Sequence, residues 1–362
     1  MEDDVEMDLS HKEFLSLDKN YALAAAAVDL IYMMDSVPGI VRAPVSKGFS
    51  YSYKDKSVTE EKTLERIRKL VIPPAWTNVW ISPKASGHIQ ATGVDVRGRK
   101  QYRYHTLWNK VRSETKFHRL YEFGNALPAL RTQLHKDISI RELEERKVLA
   151  VVILLMERTY IRVGSYEYEK SNGSFGLTTL KDKHVAINNG EMNFSFKGKK
   201  GVYHKISLKN KKLAKIVKEC RDIPGKELFQ YYDTDGTRKS IDSGSVNQYI
   251  KEASGMDFSA KDFRLWAGSL NILRCFKSSP LAETKAHLKQ NIIVALDAVS
   301  SKLGNTRTVC KKYYVHPGII NLYEENKLDK FLKELDENAS PEVPDGLNHD
   351  ETILMKILKG LH

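Results

Sequence analysis

The sequence predicts an α+β protein in which a small N-terminal β-sheet domain with helices precedes a larger, mostly helical domain. Three observations carry that reading. At 362 residues the chain has the length of two domains. Its composition, 41% hydrophobic and 29% charged, supplies a packed core and excludes wholesale disorder. Short alternating segments separated by Gly and Pro fill the region before about Leu107, whereas helical periods dominate after it.

Taken in order, Asp18–Ser36 reads as a helix ended before Pro38-Gly39. Phe49–Tyr53 alternates aromatic and small residues as a strand does, and Thr59–Leu70 is an amphipathic helix closed by Ile72-Pro73-Pro74. Val79–Ile81, His88–Thr92 and Lys100–Tyr104 complete a small sheet. Ser139-Ile-Arg-Glu142 has the form of a capping box and is expected to open a helix through Val148–Leu155 towards Tyr160. Strand-like pieces follow at Phe175–Thr179, His184–Ile187, Met192–Lys197 and Val202–Ile206, with helices again from Asn210. Asp233-Thr-Asp-Gly236 looks like the start of a calcium loop, but Gly244 stands where such a loop needs its twelfth-position carboxylate, so a hairpin turn is expected. After Pro317 come an acidic helix, a Ser340–Asn348 linker with two prolines, and a short terminal helix. The expected organisation is an N-terminal extension with its helix (1–36), a small domain (37–108), a larger domain (109–323) and an acidic tail (324–362).

The formal net charge of +12 conceals an uneven distribution. Met1–Leu9 holds five acids and no base, and Glu324–Glu351 holds ten acids against three lysines, which leaves Ser10–Tyr323 at +22. A body that basic between acidic ends points to a polyanionic partner, bound with a steep salt dependence because each docked cation releases counterions. An evenly solvated basic surface is the alternative. Ala22–Val28 and Val148–Leu155 are the longest apolar runs and are too short to cross a bilayer; the first also follows acidic residues, the wrong charge for a signal peptide. No membrane association is expected. Cys220, Cys275 and Cys310 form neither a disulfide framework nor paired zinc ligands, so a reducing, intracellular compartment is expected. Phosphate-binding G-x-x-x-x-G-K-[ST], zinc-binding H-E-x-x-H and nucleophile-bearing G-x-S-x-G patterns are absent from the sequence. What remains is a chain with 17 tyrosines, many of them interleaved with bases. Arg97-Gly-Arg-Lys-Gln-Tyr-Arg-Tyr-His105 is the densest such segment, suited to setting cations on phosphates and rings on sugar or base edges.

Four further segments are informative as an ordered set: Thr159-Tyr-Ile-Arg-Val-Gly164, Phe196-Lys-Gly-Lys-Lys-Gly201, Lys261-Asp-Phe-Arg-Leu-Trp-Ala-Gly268, and Leu303-Gly-Asn through Val309-Cys-Lys-Lys-Tyr-Tyr-Val-His-Pro317. In this order they resemble the small, poxvirus- and bacterium-type IB DNA topoisomerases. Ile72-Pro-Pro-Ala-Trp-Thr77, His88-Ile-Gln-Ala-Thr-Gly93 and Gly98-Arg-Lys-Gln-Tyr-Arg-Tyr104 look like that family's smaller DNA-clamping domain. The resemblance runs from about Pro38 to Pro317. It implies a catalytic domain of the tyrosine recombinase/type IB topoisomerase type and a monomer that clamps double-stranded DNA. It also implies relaxation of supercoils through a transient 3′-phosphotyrosyl bond, with no cofactor, ATP or metal. Tyr314 would be the nucleophile, Arg162 and Arg264 would hold the scissile phosphate, and Lys199 would be the general acid. Asn305 stands where poxviral members have histidine and resembles the bacterial variant. Gln101, Tyr102, Tyr104 and Tyr168 match DNA-contacting positions.

The chemistry suits those residue types. Two arginines can clamp a phosphate's oxygens without losing their protons. A phenol, with a pKa near 10, needs an electropositive site to ionise and then leaves readily on resealing. The sugar alkoxide is a poorer leaving group and needs a proton, which a lysine can give. Asparagine can donate a hydrogen bond but cannot exchange protons near neutral pH. Bland roles stay open for each residue. Tyr313 or Tyr314 could be a packing residue, Arg162 an ion-pair partner of Glu157 or Glu169, Arg264 a helix cap and Asn305 a turn or cap; Lys197 or Lys200 could stand in for Lys199. His316 reads as a packing or turn residue, and Cys310 as core. A tyrosine site-specific recombinase, or a non-enzymatic DNA-binding protein on the same fold, are the competing functions.

Overall fold

The computed structural model describes residue 7, residues 9–336 and residues 345–361, and the chain divides into two units, Met1–Arg119 and Leu120–His362. Most of the expected acidic start and of the 340–348 linker lies outside the described residues. The architecture is the α+β arrangement expected, an N-terminal antiparallel sheet with helices and a larger helical part.

In the first unit, Ser10 and Glu13 form a reciprocal cap that opens α1 (His11–Leu17), and Asn20 caps α2 (Tyr21–Ala26). The single helix expected over 18–36 does not form. Asp29 adopts a left-handed φ of 55°, the Leu30 amide turns back to the Ala25 carbonyl at 2.9 Å, and Ile31 then pairs with Gly87 in an isolated bridge. The alanines of α2 supply helix propensity, but the residues after them find sheet-edge partners instead. The sheet follows as β1 (Ile40–Val45), β2 (Gly48–Tyr53), β3 (Lys56–Ser57), then α3 (Glu61–Lys69), β4 (Thr77–Ile81), β5 (Ile89–Val94) and β6 (Lys100–Tyr104). Its order is β3-β2-β1-β4-β5-β6, antiparallel throughout. Ile40, Val79, Ile81 and Ala91 bury one face against Ile67 of α3. A second cluster packs Phe14, Leu17, Ala24, Ala25, Val28 and Leu30 with Trp108 and Val111 of α4 (Thr106–Asp137).

The second unit is built on two helices buried almost all round. Val148–Met156 is uninterruptedly buried in α5 (Glu145–Thr159), as expected of a core helix. This helix begins at Glu145, not at Ser139, because the Ser139 hydroxyl is committed to the His135 carbonyl at the end of α4. After α6 (Tyr166–Asn172) the expected strand over 175–179 is instead a 3₁₀ turn, Leu177–Thr179, held by Leu177 and Thr178 amides on the Arg162 and Val163 carbonyls. A three-stranded antiparallel sheet follows, β7 (Val185–Asn188), β8 (Glu191–Lys197) and β9 (Tyr203–Lys209), then α7 (Lys211–Asp222). Next comes the hairpin β10 (Gln230–Tyr232) and β11 (Arg238–Ser240), turning at Asp233–Gly236 as expected. The remaining helices are α8 (Ser243–Ser254), the buried α9 (Ala260–Lys277), α10 (Lys285–Leu303), α11 (Arg307–Tyr313), α12 (Pro317–Glu324), α13 (Asp329–Glu334) and α14 (His349–Gly360).

Helix α14 is anchored in the core. Glu351 accepts from Arg131 at 2.7 and 2.8 Å and from the Trp266 indole N–H at 3.0 Å, while Arg131 also pairs with Glu157 at 2.8 Å. Asp350, fully buried, pairs with Arg274 at 2.7 Å. Charges that counted as an acidic tail are thus buried ion-pair partners of α4 and α9. Among the described residues, no helix is long and apolar enough to cross a membrane.

Candidate active site

Four elements of the second unit end at one point. Helix α5 stops at Tyr160, whose left-handed φ of 57° turns the chain into the extended segment that carries Arg162. Helix α10 stops at Gly304, also left-handed, and hands over to Asn305. Helix α11 stops at Tyr314, and Arg264 lies one turn inside α9. The C-termini of α5 and α10 leave backbone carbonyls without helical partners, and the two arginines take them up.

Arg264 is only 5% exposed. It donates to the Tyr160 carbonyl and, at 2.6 Å, to the Leu303 carbonyl; its Nε–H is buried without a partner. Capping is done elsewhere, since Ser259 and Asp262 cap α9 reciprocally. Arg162 donates through Nη2 to the Gly304 carbonyl at 3.0 Å and to Asn305 Oδ1 at 2.6 Å. It is not an ion-pair partner of the neighbouring acids: Glu157 bonds Arg131 and Glu169 bonds Lys181. Burial, and then the charge of Arg264, hold the Arg162 pKa down to about 10, partly offset by Tyr314. Burial likewise lowers Arg264, with Tyr314 opposing it. Both groups stay protonated near neutral pH, so two like charges are held in a half-dry site that an anion would neutralise.

Tyr314 is the residue that faces this charge. The Arg264 guanidinium stands 5.1 Å from its ring centroid, and the side chain is an electrostatic neighbour of both arginines. Tyr313 is 43% exposed, with Lys312 over its ring at 5.6 Å, so the structure separates the adjacent tyrosines. The Tyr314 main chain is pinned against α9. The Gly268 backbone approaches it so closely that a Cβ there would meet the Tyr314 carbonyl oxygen at 2.2 Å, and the His316 amide donates to Ser269 Oγ at 3.1 Å. His316 itself caps α12 through Nδ1, the turn role expected of it. Cys310 is fully buried, its thiol pushed up to about 11 by burial. Asn305 is both a turn residue and a partner of Arg162. Its Oδ1 is occupied by Arg162 and one Nδ2–H donates to Leu303 O at 3.3 Å, which leaves a second N–H available to donate.

Arg162, Arg264, Asn305 and Tyr314 therefore come together. Lys199 sits beyond them, exposed on the β8–β9 turn, with its ammonium 5.1 Å from the ring of Tyr168. Lys200, beside it, holds the left-handed φ of 60° that the turn requires, and Lys197 is still within β8. The sequence did not single out His204, whose ring stacks on Phe196 across the hairpin at 5.1 Å and whose pKa is lowered by burial and by the charges of Arg162 and Arg264. Its place opposite Phe196 in the strand register was the only available signal.

The remaining candidates lie in the first unit. Tyr102 and Tyr104, both partly exposed on β6, stack at 5.9 Å with nearly parallel rings. Lys100 stands 5.8 Å over Tyr102 and pairs with Asp35 at 2.6 Å, and Gln101 donates to Asp95 at 3.0 Å. Tyr32, on the segment misread as helix, is an electrostatic neighbour of Tyr104 and belongs to the same exposed aromatic face.

Comparison with known proteins was consistent across both units. Residues 105–339 match the family model described as the catalytic core of eukaryotic DNA topoisomerase I, and residues 48–95 match that of the bacterial DNA topoisomerase IB N-terminal domain. The chain is 34% identical over 296 residues to DNA topoisomerase 1B of Acanthamoeba polyphaga mimivirus, covering 80% of this chain and 88% of the relative. It is 27% identical over 251 residues to the vaccinia virus (strain Copenhagen) DNA topoisomerase 1B, covering 67% and 74% respectively. Similarity to the DNA topoisomerase 1 of rabbit fibroma virus is 22% over 316 residues, 78% of this chain and 96% of that one.

Proposed function

Since the chain belongs to the type IB DNA topoisomerase family, we propose that it relaxes supercoiled duplex DNA by reversible transesterification at the site built from Arg162, Arg264, Asn305, Tyr314 and Lys199. The Tyr314 oxygen attacks the scissile phosphorus as the bond from phosphorus to the 5′ oxygen breaks. The phenolic proton passes to solvent water, and the departing 5′ oxygen takes a proton from Lys199. The broken strand end rotates, and the 5′ hydroxyl then attacks the phosphotyrosine, reversing each transfer. The bond energy is kept in the phosphotyrosyl ester, so each religation regenerates what cleavage consumed.

The observation that carries the reading is the convergence on Tyr314 of two permanently charged guanidiniums, the half-buried Arg162 and the buried Arg264, the latter with an unpartnered Nε–H. An unpaired buried donor costs about 1–3 kcal/mol, and a phosphate oxygen would satisfy it. Arginine contacts to a transferring phosphoryl group are worth roughly 10³–10⁵ in rate. Asn305, oriented by Arg162, supplies a further neutral donor. It stabilises charge and moves no proton. Gln101, Tyr102, Tyr104 and Tyr168 are proposed DNA contacts, and a single protomer is proposed to suffice. The protein would work wherever duplex DNA is under torsion inside a cell or particle.

The test is relaxation of a supercoiled plasmid by monomeric protein in EDTA without ATP. The wild type is expected to give the full ladder of topoisomers and Tyr314→Phe none. Recombinant products in place of topoisomers would favour a recombinase, and salt-sensitive binding with no relaxation would favour a binding protein.

A further inference from the structure

His204 occupies a position that the proposed reaction has not yet used. Its ring fills the space between two glycines. A Cβ at Gly198 would stand 2.6 Å from His204 Cδ2 and Nε2, and a Cβ at Gly304 would stand 2.4 Å from His204 Cε1. Gly198 directly precedes Lys199, and Gly304 directly precedes Asn305 and accepts from Arg162 through its carbonyl. The imidazole is fixed from a third side by stacking on Phe196, its cross-strand partner, with rings 22° from parallel. It also lines, with Lys302, Gly304 and Asn305, a cleft of about 380 Å³ between β9 and the end of α10.

We propose that His204 is a positioning residue, a flat spacer that sets the distance between the lysine-bearing turn and the phosphate clamp so that Lys199 reaches the departing 5′ oxygen. The inference rests on the reading of Lys199 as general acid. Among the described residues, no hydrogen bond joins the turn to Arg162, Arg264 or Asn305. Lys199 and Lys200 are exposed, and the turn's own bonds, Gly201 N–H to Gly198 O at 3.1 Å and Gly198 N–H to Val202 O at 2.7 Å, shape it without tying it to the clamp. Both glycines are needed because any side chain would displace the ring, and with it the spacing. Burial and the two guanidiniums favour the neutral imidazole, so the ring adds no third positive charge beside the clamp.

The experiment separates loss of acid delivery from general damage by changing the leaving group. At a cleavage site first mapped with the wild-type protein, single-turnover cleavage is measured on DNA whose scissile 5′ bridging atom is oxygen and on DNA in which it is sulfur. A thiolate leaves without a proton. A positioned general acid contributes roughly 10²–10⁴-fold. His204→Ala is therefore expected to slow oxygen cleavage by about 10²-fold while cleaving the sulfur substrate within about threefold of wild type, the same pattern as Lys199→Ala. His204→Phe, which keeps a flat ring on Phe196, is expected to recover most of the oxygen rate. Should His204→Ala lose the fold, the comparison is read on His204→Gln, which keeps volume without the flat ring. Equal slowing on both substrates, or no slowing on either, overturns the proposal. A wild-type protein that forms no adduct with either substrate overturns instead the reaction on which it rests.

Discussion

Replacing Gly268 with alanine tests how α9 holds Tyr314, the proposed nucleophile. The added methyl would stand 2.2 Å from the Tyr314 carbonyl oxygen and 2.8 Å from its carbon, whereas ordinary contact begins near 3.4 Å. Backbone lies on both sides, so the strain cannot be relieved by rotating a side chain, and Tyr314 must move by about 1 Å. Overpacking of this kind costs about 1–3 kcal/mol. Alanine recovers about 1 kcal/mol of helix propensity, so the net loss of stability is about 0–2 kcal/mol. The rate is affected far more, because a misplacement of about 1 Å costs about 10²-fold when reaction depends on a held geometry. Gly268→Ala should therefore cleave about 10²-fold more slowly in single-turnover assays, with a Tm lowered by no more than roughly 8 °C at about 2–4 °C per kcal/mol. Cleavage within threefold of wild type by a folded Gly268→Ala protein would refute the claim that this contact aims Tyr314.

Three further outcomes follow from the buried charges and the exposed rings. Glu351→Ala leaves Arg131 and Trp266 without their shared partner, and urea unfolding should show a loss of about 3–5 kcal/mol, with α14 rather than the clamp as the source. Burial alone would raise the Glu351 carboxyl, but the Arg131 guanidinium and the Asn348 and Trp266 N–H groups hold it below the ordinary carboxylate range. Its contribution is thus present above the unfolded pKa of about 4.3 and lost as pH falls through the lower folded value, so wild-type stability should drop below about pH 4 more steeply than that of Glu351→Gln. Tyr102→Ala with Tyr104→Ala should weaken duplex binding roughly tenfold at fixed salt, about 0.7 kcal/mol per contact, and leave the cleavage rate of bound DNA near wild type.

The legibility of the sequence varied with the range of the forces involved. β6 was read correctly because alternating bases and tyrosines are a local, period-two signal, and α3 because an amphipathic helix closed by Pro-Pro is equally local. The helix expected over 18–36 failed because Asp29 turns left-handed and Ile31 finds Gly87, more than fifty residues away. Ser139 and Glu142 had the spacing of a cap, but the end of α4 claimed the serine. Asp350 and Glu351 counted as tail charges because Arg274 and Arg131 are distant in the chain. In the site, the residue types of Arg162, Arg264 and Tyr314 were legible. The distinction between Tyr313 and Tyr314 came first from the flanking motif and then from geometry, and the wedge made by His204 needed three elements in place.

The most direct measurement is a denaturing gel of protein incubated with duplex DNA in EDTA without ATP, followed by identification of the modified residue. The account predicts a covalent adduct carried by Tyr314 through the 3′ phosphate, retained by Tyr313→Phe and absent from Tyr314→Phe. An adduct that survives Tyr314→Phe, or a 5′ linkage in the wild type, would contradict it.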